Sequence, residues 1–84
     1  MSDFVEVIAV IASAKDSKML EDLLLGLTTE KERQEMSQRV EIVKRLLAGE
    51  AQHKIAAELG VGVATVTRGS KEIALGRFKV LRKS

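Results

Sequence analysis

The sequence predicts an all-α chain, and three observations carry that prediction. It has no proline and only 6 glycines among 84 residues, so little interrupts regular structure. Apolar side chains make up 45% of it, too many for a disordered polymer. They recur at helical spacing in successive segments, and residues able to cap a helix stand before most of them. The length allows a single domain, 1–84, with a thin hydrophobic core. There is no cysteine to form a disulfide, and one histidine alone makes no zinc site, so no metal is expected. Association with a second copy is the remaining way to bury more surface, and a dimer or larger assembly is expected.

The first helix is read over Ser2 to Ala14, with Ser2 or Asp3 as N-cap and Phe4, Val7, Ile8 and Ile11 at helical spacing. A strand here would have no partner elsewhere in the chain. The helix is apolar nearly all round, which favours burial against a second chain. Its longest apolar run, Val7 to Ala12, is far short of the roughly 20 residues of a membrane span. Asp3 and Glu6 precede that run where a signal peptide would carry basic residues, so a cytoplasmic protein is expected.

A polar break at Lys15 to Lys18 leads to a second helix, Met19 to Leu27, capped by Asp16 or Ser17, with Gly26 as its stop signal. Thr29 and Glu32 form a capping box for a third helix from Glu30 to about Leu47. Met36, Val40, Val43 and Leu47 make its apolar stripe, widened by Ile42 and Leu46, and Ala48-Gly49 ends it. Arg39 flanks the stripe. A flank arginine taken alone is ordinarily solvated or salt-bridged.

Gln52 to Lys71, QHKIAAELGVGVATVTRGSK, carries the functional signal. Ile55, Leu59, Val61 and Val66 are its apolar positions. Ala56 is small where two helices approach closely, and Gly60 stands where the turn between them needs an unusual backbone. This is the spacing of a helix-turn-helix. Charge agrees with it: residues 1–51 hold 7 Lys/Arg against 10 Asp/Glu, net −3, whereas residues 52–84 hold 7 against 2, net +5. The basic half is the half with the motif, as a phosphate backbone requires.

In such a motif the second helix presents its N-terminal residues to base edges. Here those are Val63, Ala64, Thr65 and Thr67, with Lys71 further along. Small side chains make few bidentate base contacts, so thymine methyls, bridging water or DNA shape must share the discrimination. Gln52 and His53 on the first helix face the backbone or an outer base, and Lys54 is a phosphate contact; for His53 an ordinary surface position is equally compatible. The organisation expected is therefore dimerisation helices in 1–49, a DNA-binding segment in 50–75, and a tail in 76–84. In that last stretch Ile73, Leu75, Phe78 and Leu81 suggest a final helix broken by Gly76.

The stretch LEDLLLGLTTEKERQEMSQRVEIVKRLLAGE, followed by the helix-turn-helix and ATVTRGSK, resembles the bacterial Trp repressor family. Its specific marks are Arg68-Gly69-Ser70 after the recognition segment, where a generic motif has a large apolar residue at Gly69, and Gln38-Arg39-Val40 upstream. The likeness spans residues 20–71. It implies an all-helical, intertwined homodimer whose N-terminal helices share a core, and a repressor that binds a palindromic double-stranded DNA operator with L-tryptophan as co-repressor. No other cofactor and no membrane is implied.

Residue by residue, the resemblance places the indole ring between Arg39 and Arg68, with Arg68 also holding the ligand carboxylate. Thr29 and Thr65 match pocket threonines, and Gly69 lets backbone lie close to the ring. The carbonyls of Gly26 and Thr28 match acceptors of the ligand ammonium. Glu72 stands where the family has a serine near that ammonium; it either binds the ammonium or pairs with Arg68 four residues earlier. Gly26 replaces a bulky apolar residue, and the loop after Gly49 is one residue shorter than usual.

Two other readings stay open on sequence: a related DNA-binding regulator that does not respond to tryptophan, and a helical dimerisation or adaptor module without DNA binding. No enzyme is expected, because no nucleophile–base pair or metal-ligand cluster is visible and the carboxylates sit in solvated or capping positions.

Overall fold

Side-chain caps start the first three helices. The computed structural model describes residues 3–82, and its regular elements are α1 (Phe4–Ala12), α2 (Ser17–Leu27), α3 (Glu30–Leu47), α4 (Gln52–Leu59), α5 (Val63–Ala74) and a 3-10 turn at Lys79–Leu81. Asp3 caps α1 by accepting from the Glu6 N–H at 3.1 Å, and Asp16 caps α2 by accepting from the Met19 N–H at 2.8 Å. The alternative cap Ser2 lies outside the described residues. At α3 the capping box is reciprocal: the Thr29 N–H donates to Glu32 Oε1 at 2.8 Å, and the Glu32 N–H donates to Thr29 Oγ1 at 3.1 Å.

Several boundaries differ from the sequence reading. α1 stops at Ala12, where the Ser13 hydroxyl donates to the Val10 carbonyl at 2.6 Å. α2 starts two residues before Met19, because Asp16 is the residue that caps it. Gly26 is no stop signal: it lies inside α2, and Thr28 ends the helix by turning extended (φ −125°, ψ 153°). The Thr28 hydroxyl donates back to the Leu24 carbonyl at 2.5 Å. Among the described residues no final α-helix follows α5. Gly76 (φ 94°) and Phe78 (φ 63°) both take left-handed backbone, which leaves only the 3-10 turn beyond them.

The chain forms two compact units, Met1–Arg33 and Gln34–Ser84. The division falls within α3, because the second half of α3 packs with the helix-turn-helix. There Ile42, Ile55, Ala56 and Val66 form the buried cluster, with Leu46, Leu59 and Val61 against it. α4 and α5 are joined through Gly60, whose φ of 69° lets the chain turn at once, and the Val61 N–H donates to the Ala56 carbonyl at 3.0 Å. Of the stripe expected on α3, Val43 and Ile42 are buried and Leu46 packs against the core, whereas Met36, Val40 and Leu47 are exposed in the single chain. In the first unit, α1 and α2 contain no buried residue.

Candidate functional site

α3 and α5 present matching faces. Glu35, Gln38, Arg39 and Ile42 fall at i, i+3, i+4 and i+7 on α3; Thr65, Arg68, Gly69 and Glu72 repeat that spacing on α5. Together with Val43 and Phe78 they enclose a pocket of about 380 Å³, within the range of small-molecule sites. Gly69 sets the approach of the two helices: a Cβ built there would lie 3.3 Å from Ile42 Cγ2 and 3.5 Å from Leu46 Cδ1. The missing methyl therefore serves helix packing as well as the pocket lining.

The pocket holds two guanidinium groups, Arg39 and Arg68, and two carboxyl groups, Glu35 and Glu72. Among the described residues neither arginine is in a salt bridge. Glu72 does not pair with Arg68; its Oε1 lies 3.4 Å from Arg77 Nε, in an exposed contact that contributes little to stability. Both arginines thus keep their planar donor edges available to an anion and their faces available to an aromatic ring.

Five of the residues mapped to the ligand, Arg39, Thr65, Arg68, Gly69 and Glu72, meet at this pocket. Gly26, Thr28 and Thr29 belong to the other unit and are not among its lining. The Thr28 carbonyl already accepts from Arg33 Nη1 at 2.7 Å, leaving one lone pair for another donor. Thr29 is engaged in the capping box. Glu35, Gln38 and Phe78 also line the pocket and were not assigned to it from the sequence. The two α3 residues were legible as neighbours of Arg39 on its own helical face, whereas Phe78 carried no local signal.

In the helix-turn-helix, His53, Lys54, Val63, Ala64, Thr65 and Lys71 are exposed. Gln52 and Thr67 are instead half-buried and turned toward each other, the Thr67 hydroxyl donating to Gln52 Oε1 at 2.7 Å. That bond pins the start of α4 to α5. α4 and α5 begin at Ala51 and Gly62 with no side-chain cap, so their first N–H groups have no side-chain acceptor.

Arg45 braces the motif from α3. Its Nε donates to Glu50 Oε1 at 2.9 Å, and its Nη2 donates to Glu58 on α4. These bonds raise the Arg45 pKa further above its ordinary value, and the hydrogen bond from Arg45 holds the Glu50 carboxyl below the usual carboxylate range. Among the described residues no helix is long and apolar enough to cross a membrane, and no group of three His, Asp or Glu side chains is placed to hold a metal.

An all-helical chain whose α4 and α5 form a helix-turn-helix has the build of a regulator. Comparison with known proteins narrows the class. The sequence profile of the Trp repressor protein family matches residues 2–80. Among similar proteins, the Trp operon repressor homolog of Vibrio parahaemolyticus is 44% identical over 72 residues, covering 84% of this chain and 70% of that protein. Its namesake from Aliivibrio salmonicida is 45% identical over 73 residues, covering 86% and 68%. That from Vibrio cholerae is 42% identical over 73 residues, covering 86% and 71%. The chain belongs to the Trp repressor family, whose members are regulators and not enzymes.

Proposed function

We propose that this chain is an L-tryptophan-dependent transcriptional repressor that binds a palindromic DNA operator as an intertwined homodimer in the bacterial cytoplasm. The observation that carries this reading is the pocket itself, where Arg39 on α3 and Arg68 on α5 line one cavity with Thr65 and Gly69. α5 is also the helix whose first turn exposes Val63, Ala64 and Thr65. A ligand seated between α3 and α5 therefore sets the pose of the helix offered to the major groove. The guanidinium groups suit an indole ring and a carboxylate, and Glu72 or Glu35 supplies a counter-charge for an ammonium.

The DNA side draws support from exposed Lys54 and Lys71 and from the N-termini of α4 and α5, which have no side-chain cap and suit phosphate oxygens. A homodimer draws support from the exposed apolar side chains Phe4, Val5, Ile8, Leu25 and Leu27, which need a second surface. Gly26, Thr28 and Thr29 of a second copy are then available to this pocket.

The test is anisotropy of labelled duplex DNA, with and without L-tryptophan, over a salt series. Tryptophan is expected to tighten operator binding by at least about tenfold in the wild type, and Arg68→Ala to remove that response by losing a charge-assisted contact. Salt is expected to weaken binding steeply. Retention that ignores tryptophan would sink the co-repressor role, and no retention at low salt would leave only the adaptor reading.

A further inference from the structure

Phe78 holds a left-handed backbone (φ 63°), a conformation that glycine adopts freely and a bulky side chain does not. Two residues earlier Gly76 takes φ 94°. The turn thus has glycine at one left-handed position and phenylalanine at the other. Strained backbone of this kind persists where its surroundings hold it, and it clusters at functional sites.

The ties that hold the turn do not involve the phenyl ring. Arg82 Nη2 donates to the Ile73 carbonyl, the Arg77 N–H donates to the Glu72 carbonyl at 3.1 Å, and the Leu81 N–H donates to the Phe78 carbonyl at 2.9 Å. The ring is left half-buried in the lining of the pocket, with Arg39 and Arg68. It is the aromatic member of a lining whose other apolar side chains are Ile42 and Val43. The residues mapped onto this pocket by family resemblance stop at Glu72.

We propose that Phe78 is a specificity-determining residue of the ligand pocket. Its ring forms an aromatic wall against the rim of the ligand ring, and the C-terminal turn is shaped to present it. A planar ring held between two guanidinium faces leaves its rim open, and an aromatic side chain there gains edge-to-face contact while limiting the size of ring admitted. This inference rests on the ligand reading proposed above.

The test is calorimetric titration of the full chain with L-tryptophan and with tryptophans methylated at each benzo position in turn, comparing wild type with Phe78→Gly. Glycine removes the ring and relaxes the left-handed backbone, so the thermal midpoint should hold. Affinity for L-tryptophan should fall about tenfold. At least one methylated tryptophan should gain on tryptophan relative to its wild-type ratio, by filling the space left by the ring. Should the glycine variant melt early, Phe78→Leu keeps the apolar cover and its ratios decide. Unchanged ratios in the folded variant overturn the inference alone, whatever happens to overall affinity. Wild-type protein that binds no tryptophan overturns the ligand reading and this inference with it.

Discussion

The two units of the chain both carry large apolar side chains but dispose of them differently. In Gln34–Ser84, Ile42, Val43, Ile55, Ala56 and Val66 are buried at 4% exposure or less. In Met1–Arg33 no described residue is buried, and Phe4 and Val5 stand 74% and 73% exposed. Helix starts differ as well. α1, α2 and α3, which begin in the first unit, have side-chain caps, whereas α4 and α5, which begin in the second, have none. Short helices are marginal in water unless packing or capping supports them. The second unit obtains that support from its own core and starts its helices without side-chain caps. The first relies on caps and leaves large apolar side chains exposed in the single chain, the surface that the proposed homodimer would cover.

Ile55→Ala probes the self-contained side of this contrast and should have the largest effect. Ile55 is 0% exposed at the centre of the helix-turn-helix cluster, so truncation should cost about 2–5 kcal/mol in urea unfolding. The matching change in the other unit is Ile8→Glu, at a half-exposed position. It should leave the second unit folded by circular dichroism and shift the proposed dimer toward monomer in sedimentation. A monomeric wild type would break the comparison, since the exposed face would then have no partner.

The next effect concerns the brace on α4. Hydrogen bonding to Arg45 lowers the Glu50 pKa, so this carboxylate contributes stability that is present above its ordinary value of about 4.5. That contribution is lost as pH falls through the depressed, folded-state value. Glu50→Gln should therefore flatten the acid limb of the stability profile while leaving the neutral-pH fold intact. Identical acid limbs for both proteins would remove the brace from the account.

The smallest expected effect is Gly26→Ala. Gly26 is helical, with nothing within 4 Å of a Cβ built on it, so alanine should stabilise α2 by roughly 0.5–1 kcal/mol, read as a small rise in thermal midpoint. A destabilised variant would show that a partner surface covers this position.

Much of the fold was legible because it is local. The Asp16 cap, the Thr29–Glu32 box and the Gly60 turn each depend on atoms within a few residues, and each appears as the sequence predicts. Gly26 was misread because glycine near a helix end ordinarily marks a stop, while here the extended backbone of Thr28 does that work. The α3 stripe was read too broadly, because Met36, Val40 and Leu47 satisfy the helical period as well as Ile42, Val43 and Leu46 do. Periodicity finds an apolar face without saying which neighbour covers it.

By itself the sequence determined that this chain is helical, where most helices start, that it turns at Gly60, and that its basic charge gathers on the helix-turn-helix half. These follow from short-range hydrogen bonding, backbone dihedrals and the simple order of charges along the chain. Only the tertiary structure decided that Ile42 faces the motif, that Gln52 binds Thr67, and that Glu35, Arg39, Arg68 and Phe78 line one pocket. Those pairings depend on how closely α3 and α5 approach at Gly69 and on a left-handed turn at Phe78, and neither is encoded by the spacing of residues along any one helix.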